Sequence, residues 1–565
     1  MRSRRSFRPR ARALWLPAAL AALAPAVLQA QYQEPPPPAA YALTGLTVVQ
    51  PNGPVLDSIT VVVRNGLIEA MGPEVTIPPD ARVLEGEGLH LYPGLVDAWG
   101  EVDVAWPDAR DVEDDDDVTA WSPPRSRQGF MPHRRVADHL AIIGEALEDQ
   151  REDGIVASLV QARGGMAPGM AAVLMHRNAQ MPWELVEHAE PGLSMSLRAA
   201  GGVYPSQLFG VLAFLRQAFL DAERYQVMRT AQRDGARGFI PPGWDPDYET
   251  LLVAMEGELP VFFEADSDED IRRALDLAEE FGLYLTLVGG EEAWVHAEEL
   301  AERRIPVLVS LDFPEPDEWD PEADTIPGAL TPAAAREKEE LENIWSNAAR
   351  LREAGVTFSL TSGGGDGDFP EGLRKVVEYG LPPLDALRAM TIVPAGLLGL
   401  STVGIVEPGR PATFMVATNS LLQEDARVRY TFVEGRLTEV DMGGGDAGSG
   451  EAPAGDLTGT WSGTLSGGGQ EAPVSFTLTQ AEDGSLRGTV EAMGDSDVPV
   501  SGSLAGREVT LRIEPDDLPE PIVLTGTLSE DGNTITGGGS TPFGELEFEL
   551  RRGGGSWNAF LGGAR

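Results

Sequence analysis

The sequence predicts an α/β chain that carries two antiparallel β modules, and three observations carry this reading. From Pro132 to about Thr391 helical and strand patterns alternate, as parallel strand–helix units do. Short strands lie on either side of that stretch, from Tyr41 to Gly72 and from Pro411 to Gly435. Further on, about eight strands of alternating polarity run from Leu457 to Arg551, a spacing that suits a small antiparallel barrel or sandwich.

Residues 1–30 read as a signal peptide. Six Arg precede the apolar run Ala13 to Leu28, and small Ala30 suits cleavage before Gln31. Ser3-Arg4-Arg5-Ser6-Phe7 also resembles a twin-arginine signal, so the export route is Sec or twin-arginine and the destination periplasmic or extracellular. Residues 31–40 form a Pro-rich linker. Asn65-Gly66 between Ser58–Arg64 and Leu67–Gly72 predicts a hairpin. Val136 to Arg151 reads as an amphipathic helix, Gly154 to Val160 as a buried strand, Gly164 to Gly169 as a Gly-rich turn, and Ala171 to Met175 as another strand. Between 260 and 310, strands Pro260–Glu264, Leu283–Val288 and Ile305–Ser310 alternate with helices Ser267–Glu280 and Glu291–Arg303. Ser267 and Asp270 cap the first of these helices. Thr331 to Ala354 reads as one long charged helix, Val356 to Thr361 as a strand, and Pro370–Tyr379 and Pro383–Met390 as helices. Residues 441–456 form a flexible linker, 457–552 the C-terminal β module and 553–565 a flexible tail.

Composition bounds the function. The chain has 565 residues and a net charge of −46; beyond residue 30 it carries 37 basic against 89 acidic residues. Such an acidic protein repels phosphates, so nucleic acid is excluded as a partner. Absence of Cys excludes disulfides, thiolate zinc sites and thiol nucleophiles. After the signal no run is long enough for an integral membrane span. The acid run Glu113 to Asp117 lacks the spaced Asp/Asn and Gly of a calcium loop and reads as solvated.

The stretch Pro93-Gly94-Leu95-Val96-Asp97 resembles the metal-binding opening of the amidohydrolase superfamily, whose pattern is Pro-Gly-Leu-Ile/Val-Asp-x-His-x-His. Gly404 to Gly409 resembles the point where such chains return to their small β domain, and residues 260–294 look like amidohydrolase-related, imidazolonepropionase-like exported proteins. The resemblance implies a (β/α)8 TIM-like barrel over 91–394 and a composite β-sandwich from 41–90 and 395–440. The C-terminal module resembles lipocalin-like β modules appended to exported hydrolases.

The family's metal is held by imidazoles, and a carboxylate takes a proton from its bound water. By the resemblance the ligand positions fall on Asp97, Trp99 and Glu101 of the first strand, Glu264 of the fifth, Gly289 of the sixth and Gly363 at the eighth. The family's histidines and its last Asp are thus absent from their places. The only two lysines, Lys338 and Lys375, lie on late helices, which excludes a bridging carboxylated lysine. Of six histidines only His176, just after an apolar strand, stands as a site candidate; His296 is expected on a solvent-facing side. The remaining catalytic candidates are the carboxylates Glu101, Glu264, Asp266 and Asp366, with Asp97 and Asp103 beside them. Residues Asp97, Trp99, Glu101 and Asp103, at every second position, are expected to line one side of a strand end.

The expected protein is an exported amidohydrolase-like chain without the usual metal and with no cofactor, a binding or scaffold member that takes a small molecule at the barrel mouth. Two alternatives stand beside it. One is a hydrolase of carbon–nitrogen bonds other than peptides, using a divergent carboxylate site with or without a hard divalent cation. The other is a surface or assembly protein, for which a homo-oligomer is a natural form.

Overall fold

The computed structural model describes residues 40–553, apart from 103, 106–122, 143, 315, 317–318, 320–330, 365–368, 424–425, 441–454, 468–469, 481–484, 493–494, 514–521, 530–531 and 542–543. The expected leader and most of the linker after it, Asp103, the acid run 113–117, Asp366, most of the second linker and the tail beyond 553 lie outside these residues.

One eight-stranded sheet draws strands from two distant parts of the sequence. Its order is Arg436–Glu439, Val428–Val433, Phe414–Ala417, His90–Pro93, Ala40–Val48, Leu56–Arg64 and Leu67–Gly72, with Ala81–Glu85 pairing to Ala40–Val48. Asn65 and Gly66 take φ of 52° and 79°, the left-handed pair that a tight hairpin demands. Val61, Ile68, Leu91, Phe414 and Phe432 fill its core. The apolar run at 91–96 is divided at Pro93-Gly94: His90–Pro93 pairs in this sheet, and Leu95–Gly100 begins the barrel.

The barrel has eight staves. The first is Leu95–Gly100 and the second Ile155–Val160; the fourth to eighth are Leu193–Ser196, Val261–Ala265, Leu285–Gly289, Val307–Ser310 and Phe358–Thr361. These seven are parallel wherever they pair. The third stave corrects the all-parallel expectation. It comes in two pieces: Ala172–Met175 runs antiparallel to the second stave, and Gly169–Met170 antiparallel to the fourth. The reason is length. Eight residues separate Val160 from Gly169, whereas a parallel crossover needs about a dozen or more, so the Gly-rich turn can only reverse the chain. Val96, Val156, Phe262, Val288 and Leu308 form an inner core with Ala395, Leu398 and Val403 from the segment that leaves the barrel.

Two helix expectations change, and two further helices appear. Val136 to Arg151 is two short 3-10 turns, Val136–Asp138 and Gly144–Leu147, followed by the short helix Glu148–Glu152. Thr331 to Ala354 is broken at Ser346 into Pro332–Trp345 and Asn347–Ala354. Between the fourth and fifth staves stand Leu208–Arg233 and Pro246–Met255, neither of which the sequence analysis predicts; no side chain caps the start of the first, and its apolar residues do not keep to one face. In the C-terminal module eight antiparallel strands between Gly459 and Arg552 form a closed barrel, its interior filled by Trp461, Phe476 and Phe548 among others. No helix among the described residues is long and apolar enough to cross a membrane.

Among the described residues no strand ladder joins the first and eighth staves, although they lie side by side. Asp97 bridges them. Its Oδ1 accepts from the backbone N–H groups of Trp99 (3.1 Å) and Ser362 (3.2 Å), and its Oδ2 accepts from the Ser362 hydroxyl (2.6 Å). Asp97 is 3% exposed, and burial raises its pKa despite these donors. Removal of the carboxylate orphans two backbone donors in the barrel wall. Asp97→Ala is expected to destabilise the barrel by roughly 1–3 kcal/mol, with Asp97→Asn much closer to wild type. Calorimetry of the barrel's unfolding transition checks this; an Ala variant that melts with the wild type would contradict it.

Candidate active site at the barrel mouth

A cavity of about 480 Å³ opens at the carboxyl ends of the staves, where barrel sites form. Each wall residue owes its place to a stave end. Trp99 closes the first; Gln161 and Arg163 follow the second; Ser196 ends the fourth and Arg198 follows it. Glu264 lies near the end of the fifth, with Asp266 just past it. Glu291 follows the sixth, Asp312 the seventh, and Gly363 and Gly364 the eighth.

The predicted positions part company here. Trp99, Glu264, Asp266 and Gly363 line the cavity together. Asp97 does not, being spent on barrel closure, and Glu101 sits at the rim, exposed and 3.3 Å from Arg163. The alternation expected of 97–101 fails because the pairing register slips between Asp97 and Gly100. Gly289 belongs to the sixth stave, but its space is taken. A Cβ there would fall on Asp266 Oδ1, and the residue holds a left-handed φ of 88°. Likewise, a Cβ at Gly363 would fall on Ser310 Oγ. Two ligand positions of the expected pattern are therefore closed by neighbouring side chains.

None of the six histidines lines the cavity. His176 is fully buried at the opposite end of the second stave. Its Nδ1–H donates to Ile155 O (3.0 Å), and its Nε2 accepts from the Ser158 hydroxyl (2.9 Å). Burial drives its pKa down to about 3, which keeps it neutral. The antiparallel third stave explains the displacement: the residue after it lies at the barrel floor, not the mouth. His296 is also buried, not solvent-facing, held between Asp268 Oδ1 (2.6 Å) and Arg272 (2.9 Å). Lys338 and Lys375 lie over the rings of Trp319 and Trp345, away from the cavity wall.

The cavity is acidic. Arg198 pairs with Glu264 at 2.5 Å, and Arg163 donates to Gly364 O at 2.8 Å. Asp266, Glu291 and Asp312 face it with no ion pair or side-chain hydrogen bond among the described residues. Asp266 is pushed up to about 7, first by burial, then by Glu291 and Glu264; Arg198 pulls the other way. Glu291 is raised by burial, with Glu292 and Asp312 adding to it. Sequence reasoning missed Gln161, Arg163, Arg198, Glu291 and Asp312. Each stands one to three residues beyond a strand's carboxyl end, and that position was the available signal.

A zinc-type ion does not fit this donor set. The wall offers carboxylates and two guanidiniums but no imidazole, and among the described residues no three His, Asp or Glu converge to hold a metal. A carboxyl near neutrality can still take or give a proton.

The raised Asp266 pKa fixes a stability trend. The folded chain binds this proton up to about pH 7, whereas the unfolded chain releases it near the ordinary aspartate value of 3.8. Stability contributed by the neutral form is therefore lost as pH rises through that window. Asp266→Asn is expected to match wild type at pH 4 and to exceed it by roughly 1–3 kcal/mol at pH 8. Denaturant melts at both pH values check this; equal stability of the two proteins at pH 8 would contradict it.

Comparison with known proteins shows what part of the chain is similar to. Residues 264–438 match the profile of the amidohydrolase family. A segment of 107 residues, 18% of this chain and 18% of the relative, is 36% identical to an adenine deaminase of Methanothermobacter thermautotrophicus. The chain thus covers under a fifth of that relative's length. Among solved structures, an amidohydrolase from Thermotoga maritima MSB8 is 23% identical with a TM-score of 0.55, covering 71% of this chain and 100% of its own. That likeness is one of fold. Over residues 264–438, the second half of its barrel and the strands that return to the sheet, the chain is similar to the amidohydrolase family.

Proposed function

We propose that the barrel mouth binds a small polar molecule without a hydrolytic metal, on an amidohydrolase frame whose ligand positions are filled from within. One observation carries the reading: the Asp266 carboxyl occupies the space of a sixth-stave side chain at Gly289. The absence of histidine from the cavity wall, and Ser310 beneath Gly363, support it. The size supports it too, since small-molecule pockets span about 300–1,000 Å³. Export through residues 1–30 belongs to the same reading.

A second reading is favoured by the state of Asp266. A carboxyl titrating near 7 beside Glu264 is suited to general acid–base work on a carbon–nitrogen bond. In that case Asp266→Asn abolishes turnover of amides or lactams, while Glu291→Gln shifts the pH profile.

Metal analysis of full-length protein purified without chelator tests the first reading. We expect zinc, manganese and iron far below one equivalent, before and after incubation with each metal. One equivalent that Glu264→Ala or Asp266→Ala removes would overturn it.

A further inference from the structure

The cavity holds more negative charge than its own cations can satisfy. Four carboxylates line it: Glu264, Asp266, Glu291 and Asp312. Of the two lining cations, Arg198 is committed to Glu264, and Arg163 to Gly364 O and Glu101. Asp266, Glu291 and Asp312 follow the fifth, sixth and seventh staves, so they occupy one continuous sector of the mouth. Like charges gathered in a partly buried site repel, and an added cation there is attracted more strongly than in open water.

A second observation concerns the second stave. Gln161 is 8% exposed and stands in the cavity wall, and its Nε2 has no hydrogen-bond partner among the described residues. A buried amide donor left unpaired is costly, and an acceptor on a ligand would recover that cost. The donor and the carboxylate sector lie on different sides of the ring of staves.

Resting on the metal-free pocket reading, we propose that the mouth binds a small organic cation, a primary amine or guanidine that also carries an oxygen acceptor. The cationic end lies in the field of the acidic sector formed by Asp266, Glu291 and Asp312; the acceptor meets Gln161. A hard inorganic cation is the poorer occupant, because it needs about six to eight converging oxygens and no three of the described acidic side chains converge.

Titration calorimetry of the full chain with four compounds tests this: 4-aminobutanamide, n-butylamine, butanamide and butanoate. We expect 4-aminobutanamide to bind most tightly, and the two compounds without an ammonium to bind at least about tenfold more weakly. Glu291→Gln and Asp312→Asn should each weaken 4-aminobutanamide by about tenfold. Gln161→Met should weaken 4-aminobutanamide and leave n-butylamine unchanged. Far-UV circular dichroism shows that each variant is folded. Binding of butanamide or butanoate in preference to the amines would overturn the cation assignment while leaving the metal-free pocket intact. Affinity unaltered by both carboxylate variants, or no binding by any compound, would also overturn the cation assignment. Failure of the underlying reading registers separately, as an equivalent of bound metal.

Discussion

The Asp97 carboxylate joins the two ends of the stave sequence: the first stave, which contains it, and the eighth, which ends at Thr361 just before Ser362. Every stave between them is held by backbone pairing to a neighbour, but among the described residues this seam depends on hydrogen bonds from Ser362, whose N–H and hydroxyl donate to Asp97 and whose hydroxyl also reaches Trp99 O (3.1 Å). The geometry of the mouth follows from the seam. Ser362 is fixed by Asp97, so Gly363 and Gly364 are presented to Ser310 and to Arg163. The residue that ends the Pro93–Asp97 stretch is thus used here for closure, which removes it from the cavity wall.

Inside the mouth, volume and charge act together. Asp266 fills the room beside Gly289, and in doing so sits where Glu264 and Glu291 both raise its pKa. A neutral Asp266 relieves part of the repulsion at low pH. An ionised one makes the cavity a trap for positive charge. Arg198 is largely exposed and can answer only one of the four acids. The cavity therefore has a sign, and that sign belongs to the folded chain, since the ring of staves brings Glu291 and Asp312 to the same mouth as Glu264 and Asp266.

Much of this was legible in the sequence. Pro93 to Asp97, the repeat at 260–310 and the eight alternating strands after 457 are all local patterns, and the barrel, the shared sheet and the closed C-terminal barrel appear where those patterns stand. What failed was long-range or rested on a presumed direction. His176 followed an apolar strand, but that strand runs backwards, so the histidine lies at the barrel floor. Eight residues in the Gly-rich connection were enough to reveal this had length been weighed against the parallel pattern. Glu101 left the row because of a slip in register, which no periodicity reports. Arg163, Glu291 and Asp312 escaped notice because attention to a family's ligand positions passes over the residues beside them.

The account stands on the claim that side chains of the chain itself occupy the space of a hydrolytic metal. Cobalt(II) is the most direct reporter, because a cobalt ion held by several protein donors at low coordination number absorbs strongly in the visible range. Titration of the full chain with cobalt at pH 7.5 is predicted to give only the weak spectrum of the hydrated ion. An intense visible band that saturates at one equivalent and disappears in Asp266→Asn would contradict the account.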